Sequence, residues 1–178
     1  MKLKRFKHLE RVDRPYRRFL KSFVYAGRGI AHCVAYGRNF RVELVVFAYM
    51  LYFSLFYDFT ETHYSAFFLV SALVLVCEAF NTSIEAIADK VCTEKNELVR
   101  IGKDVAAGAV LIMAITSVAI GFYLFYDIKV FVNIINFHVR NPLVLILFIL
   151  SIILTQVFIF LPEYIQKKDY LKEENDEQ

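Results

Sequence analysis

A chain segment that crosses a bilayer has no water to satisfy its backbone amides, so it must be a helix or part of a closed barrel. Four stretches of this sequence approach the roughly 20 apolar residues that a helix needs to cross a hydrocarbon core about 30 Å thick. They are Leu44 to Phe59, Tyr64 to Val91, Val105 to Tyr126, and Leu143 to Leu161. The last two are uninterrupted. The first is short and must borrow Phe40 to Glu43, and the second is long but broken by Glu78, Asn81, Glu85 and Asp89. With 58% hydrophobic residues and a mean hydropathy of +0.47, the 178-residue chain is too apolar for an ordinary water-soluble domain. The expected fold is therefore an all-α integral membrane protein.

Lys and Arg near membrane helices concentrate on the cytoplasmic side. Of the 21 here, 19 fall in Met1 to Arg41, in Asp89 to Lys103 or after Pro162, and only Lys129 and Arg140 lie in the opposite loop. Both termini and the loop between spans two and three are expected in the cytoplasm, in a multi-pass protein of the cell membrane. The net charge of +3 averages over this asymmetry and gives no nucleic-acid signal. The basic amino-terminal region is suited instead to anionic head groups or phosphates. Its charge, and the lack of an early apolar run, predict no cleavable signal, with the first span directing insertion. Cys33, Cys77 and Cys92 are odd in number and unpaired by spacing, as expected of reduced thiols.

The pattern divides the chain into a charged segment 1–13, a membrane domain 14–126, and a segment 127–178 with an external stretch, a fourth span at about 143–161 and a polar tail. Within the membrane domain, Tyr16, Phe19, Leu20, Phe23, Val24, Ile30 and Val34 recur at helical spacing opposite Arg14, Arg17, Arg18, Lys21 and Arg28. They predict an amphipathic helix over about 15–36 lying in the interface. Spans at about 40–59, 64–91 and 104–126 follow. Ala106 to Ala109, all small, permit close helix approach at the start of the third.

On a helix turning 100° per residue, Asn81, Glu85 and Asp89 fall at about −60°, −20° and +20° from Glu78, so all four share one face. One ionisable side chain at membrane depth costs roughly 2.5 to 3.5 kcal/mol on insertion scales. Such a stripe must face protein, water, a metal or a reacting group. Interhelical hydrogen bonding, an ion or proton path and a catalytic site all satisfy that requirement.

The surrounding residues narrow the choice. Glu78-Ala-Phe-Asn81-Thr-Ser-Ile-Glu85-Ala-Ile-Ala-Asp89, followed by Gly102-Lys103-Asp104-Val-Ala-Ala-Gly-Ala-Val, resembles the signature of the prokaryotic diacylglycerol kinase and undecaprenol kinase family. Lys21-Ser-Phe-Val-Tyr25-Ala-Gly-Arg-Gly29-Ile and Arg38-Asn-Phe-Arg41 are similar to that family's interfacial helix and first span. The resemblance covers about Arg17 to Tyr126. It implies a homotrimer of three-span subunits, here with an additional fourth transmembrane helix. The implied reaction moves the γ-phosphoryl of ATP, with Mg²⁺, to a lipid alcohol at the cytoplasmic interface. Neither GxxxxGK[ST] nor GxGxxG occurs, so a soluble-type phosphate loop is absent.

By the resemblance, Glu78 is the general base on the lipid hydroxyl, Asn81 orients the site, and Glu85 binds the Mg²⁺ that bridges the ATP phosphates. Arg18, Tyr25, Glu94, Lys95, Asn96, Lys103 and Asp104 contact the nucleotide, and Arg18 also meets the lipid. Lys21 and Asp89 are secondary candidates. Singly, several have plainer roles: Lys103 and Asp104 as a helix start, Arg18 and Lys21 as head-group anchors, Asp89 as a solvated helix end. One position departs from the family. Where its members generally carry a second metal-binding glutamate, just before Arg-Asn-Phe-Arg, this chain has Gly37. Glu43 compensates only if the helix brings it close.

The implied activity is phosphorylation of undecaprenol, because the Ser22 to Gly29 block is nearest the Gram-positive branch, with diacylglycerol as the alternative acceptor. A silent lipid-binding scaffold, motivated by Gly37, and a conduit lined by Glu78, Glu85 and Asp89 are readings of other classes.

Overall fold

The computed structural model describes residues 15–92 and 96–176, with the side chains at 15, 17, 18, 161 and 163–176 outside that description. Arg18, Glu94 and Lys95, expected at the nucleotide, therefore lie outside the described residues. The described chain is helical and has no strand: α1 Pro15–Tyr36, α2 Arg38–Ser54, α3 Glu61–Val91, α4 Glu97–Phe125, α5 Ile128–Arg140 and α6 Pro142–Asp176. Helices α3, α4 and the Pro142–Phe160 part of α6 are each long and apolar enough to cross a membrane. Helix α2 has 17 residues and stops at Ser54, short of the expected 59. At 1.5 Å per residue it is about 26 Å long, somewhat less than the hydrocarbon core.

Side chains specify several of these boundaries. Thr60 and His63 form a reciprocal capping box that starts α3, with the Thr60 hydroxyl accepting from the His63 amide at 3.4 Å and His63 Nδ1 accepting from the Thr60 amide at 3.2 Å. Asn96 caps α4 by accepting from the Leu98 amide at 2.9 Å, and Asp127 caps α5 through the Lys129 amide at 2.8 Å. In the loop before α3, the Tyr57 hydroxyl donates to the Phe125 carbonyl at 2.8 Å, tying the loop to the end of α4. Burial, with Asp127 nearby, pushes this phenol above its ordinary range, so it remains a donor.

Helices α3 and α4 form the most extensive pair, and α2 packs against both α3 and α6. The apolar face of α1, including Phe19, Phe23 and Ile30, is left uncovered by the rest of the chain, as an interfacial helix requires. Gly27 and Gly29 sit inside α1 without breaking it, whereas Gly37 is the break between α1 and α2.

The stretch between spans three and four, read from sequence only as an external segment, contains α5. Its apolar residues Phe131, Ile134 and Ile135, with the buried His138, alternate at helical spacing with Lys129, Asn133, Asn136 and Arg140. Helices α5 and α6 dock on α2 through polar contacts between apolar surfaces. The Tyr49 hydroxyl lies 3.1 Å from Ser151 Oγ and 3.3 Å from Thr155 Oγ1. Tyr52 meets His138 Nε2 at 2.9 Å, and the other ring nitrogen of His138 lies 2.7 Å from the Ile134 carbonyl. Because His138 is buried, Tyr52→Phe is expected to lower stability by about 0.6 to 1 kcal/mol, the usual range for a polar contact between membrane helices. Reversible unfolding in mixed micelles measures it.

Candidate active site

Helix periodicity puts Glu78 and Asn81 on the inward face of α3, and both are buried, at 4% and 7% exposure. Two of their acceptors, Glu78 Oε2 and Asn81 Oδ1, have no hydrogen-bond partner among the described residues. Buried acceptors are ordinarily satisfied, so this pair on one face is where the stripe has hydrogen-bonding capacity left over. The Asn81 amide nitrogen donates to Glu85 Oε1 at 3.0 Å, fixing the orientation of both side chains. Glu85, one turn further along, is exposed and has its second oxygen free for a ligand. The stripe thus runs from a buried carboxyl to a solvent-accessible one, about 10.5 Å apart along the axis.

Helix α2 supplies the opposite wall. Asn39 and Glu43, four residues apart and so on one helical face, both act on the Glu78 carboxyl. Cys33, buried near the end of α1, is a further neighbour of Glu78. Neither Asn39 nor Cys33 was assigned to the site from sequence. The signal available for Asn39 was its i, i+4 relation to Glu43, which shows that the two face the same way but not what they face.

Glu43 also lines the polar end of a cavity of about 440 Å³ between α2, α3 and α4, whose walls include Phe47, Phe67, Val74, Ile120 and Phe125. Among the described residues no three of His, Cys, Asp and Glu converge as a metal cage.

At the loop end of α3 and α4, Lys103 Nζ donates to Asp89 Oδ1 at 2.7 Å. Arg100 bridges Asp104 at 2.9 Å and also pairs with Glu97. These pairs are largely exposed and add little to stability. Lys103 also feels the charge of Glu85, so it stands on the side of α3 where the acidic stripe emerges. Arg100, unremarked in the sequence, holds Asp104 in place. Asn96 serves as the α4 cap described above. Tyr25 is exposed on α1 with the Arg28 guanidinium 5.9 Å from its ring centroid, and Lys21 is likewise exposed on α1.

At Gly37 the chain passes so close to the end of α1 that a Cβ there would lie 2.6 Å from the Cys33 carbonyl oxygen and 3.2 Å from Phe40 Cβ. The local path at position 37 therefore leaves no room for a side chain.

Residues 24–125 match the prokaryotic diacylglycerol kinase family. The chain is 33% identical over 108 residues to an undecaprenol kinase of Bacillus subtilis, covering 61% of this chain and 88% of that protein. It is 34% identical over 103 residues to a diacylglycerol kinase of Synechocystis, covering 57% of this chain and 59% of that relative's length. No solved structure matches it. The family match spans more than half the sequence and contains both the acidic stripe of α3 and Lys103 and Asp104, which lie two turns inside α4 rather than at the helix start expected of them, so the chain belongs to the prokaryotic diacylglycerol kinase family and is a lipid kinase of the membrane.

Proposed function

We propose that the protein phosphorylates undecaprenol from ATP at the cytoplasmic face of the cell membrane. The observation that carries the reading is the buried, unpartnered Oε2 of Glu78 beside the unpartnered Oδ1 of Asn81. Phosphoryl transfer needs an oriented, deprotonated hydroxyl in line with the γ-phosphorus, and charge neutralisation around the phosphates. Glu78 accepts the hydroxyl proton of the lipid, the oxygen attacks the γ-phosphorus, and ADP leaves. Asn81 holds the geometry by donating to Glu85 and offering its free carbonyl oxygen to the acceptor alcohol.

Glu85, with one oxygen free, fits Mg²⁺, which characteristically binds through one or two carboxylates plus substrate phosphates and water. Mg²⁺ there would neutralise phosphate charge. Lys103 and Asp104 face the nucleotide, with Arg18, Tyr25, Lys21 and the Glu94, Lys95 and Asn96 segment as its remaining contacts. For Lys103 this means exchanging Asp89 for a phosphate, an exchange made easy by the exposure of the pair. The apolar cavity that ends at Glu43 accepts the hydrocarbon chain of the lipid.

Undecaprenol is favoured over diacylglycerol by coverage: the chain spans most of the undecaprenol kinase and little more than half of the diacylglycerol kinase. A homotrimer is supported by α4, whose apolar window has 0% of its residues buried within the subunit. The distribution of Lys and Arg supports a cytoplasmic position for both termini and the Asp89 to Lys103 segment.

Purified protein in bilayers with Mg²⁺ and labelled ATP, offered undecaprenol and diacylglycerol separately, is expected to label undecaprenol at least about tenfold faster, a difference of about 1.4 kcal/mol in transition-state binding. Preferred labelling of diacylglycerol would replace the acceptor, and transfer to neither would remove the reading.

A further inference from the structure

Arg41 is 1% exposed, in α2, one turn into the bundle from the α1–α2 break. Its Nε and Nη2 donate to the Ile159 carbonyl of α6 at 3.0 and 2.8 Å, and its Nη1 donates to the Val34 and Ala35 carbonyls of α1 at 2.9 and 3.0 Å. A guanidinium does not shed its proton, so at this depth its charge must be met by oriented acceptors.

Two local features supply them. The last carbonyls of α1 have no intrahelical donors and stand at the negative end of its dipole. In α6, Pro162 lacks an N–H, so the Phe158 carbonyl loses its ladder donor in that turn. The carbonyl of the next residue, Ile159, is the one that takes the fork. The polar cross-link thus joins the end of α1 to the proline-containing turn inside α6, and α6 lies wholly beyond the residues 24–125 that match the family.

We propose that α6 is a strut for the kinase site, and that Arg41 is a positioning residue that locks the α1–α2 elbow against it. The two groups held by this elbow are those that flank Glu78. Asn39 is two residues before Arg41, and Cys33 immediately precedes the carbonyls that Arg41 grips. The Cys33 carbonyl also accepts from the Gly37 amide at 2.8 Å, so the elbow closes on itself with no slack. Freeing Arg41 lets α1 and α2 hinge at Gly37, and Asn39 moves relative to the Glu78 carboxyl. The strut acts on geometry rather than on reacting atoms.

This inference rests on Glu78 being the base, and its test includes a readout independent of catalysis. Full-length Arg41→Lys keeps the charge and loses the planar fork. In bilayers it is expected to lower kcat about tenfold, within the range that an ångström of misplacement produces, with KM for ATP and for lipid unchanged. Alkylation of Cys33, followed by peptide-resolved mass spectrometry, is expected to speed up at least about threefold as the elbow opens. Tyr49→Phe loosens α6 further from the elbow and is expected to leave both kcat and Cys33 reactivity at parental values.

Parental kcat in Arg41→Lys would overturn the proposal. So would an equal loss in Tyr49→Phe, or a lowered kcat with Cys33 unchanged. If Glu78→Gln were fully active, the base assignment would fail, while faster Cys33 alkylation in Arg41→Lys would still report the strut.

Discussion

Glu78→Gln is expected to abolish lipid phosphorylation, lowering kcat by about 10² to 10⁴-fold, the usual contribution of a positioned general base. The substitution changes little else. The amide has the volume of the carboxyl, so no cavity opens against Val74 and Phe67 in the buried stripe of α3. It also removes a negative charge from a pocket that Glu43 and Glu85 already make electronegative. Helix content and resistance to unfolding should therefore equal or exceed those of the parent, and nucleotide binding, which the proposed site assigns to the exposed end of the stripe, should persist. Measuring label transfer beside ATP affinity separates the two. Parental transfer by the variant would remove Glu78 from the chemistry, and loss of both transfer and nucleotide binding would make it structural.

Periodicity alone was enough to place Glu78, Asn81, Glu85 and Asp89 on one face, because every intermediate residue is helical and a helix has a fixed pitch. The same logic located α1 between Pro15 and Tyr36, where an amphipathic pattern is bounded by Pro at one end and Gly at the other. What the pattern could not deliver was the identity of the partners. Asn39 against Glu78, or Arg41 against Ile159, depends on how α2 is rotated toward α3 and α6. That rotation is set by packing, not by any signal local to Arg38–Ser54. Helix α5 was missed for a related reason: thirteen residues are too few for a span, and its polar face resembles a loop until its apolar face finds α6. Roles that the family resemblance suggested for Lys103, Asp104 and Asn96 meet a surface where each already has a partner or a cap, which composition does not reveal.

Activity in Glu85→Gln is expected to fall by about 10 to 100-fold at the Mg²⁺ concentration that saturates the parent, with partial recovery as Mg²⁺ is raised, and Gly37→Glu is expected not to restore it. The first half follows from ligand count. With glycine at position 37, the proposed site leaves Glu85 as its exposed carboxylate ligand, and an amide oxygen replaces it with less charge. The second half follows from space. A side chain at position 37 begins with a Cβ only 2.6 Å from the Cys33 carbonyl oxygen, which is backbone and already engaged by the Gly37 amide. Accommodating it means shifting the elbow that sets Asn39 and Cys33 against Glu78, at a typical overpacking cost of about 1 to 3 kcal/mol. A carboxylate would be gained where the surrounding geometry had been lost. Mg²⁺ titrations of parent, Glu85→Gln and the double variant decide the matter: recovery of parental Mg²⁺ affinity in the double variant would show that the elbow yields readily and that position 37 still points at the metal.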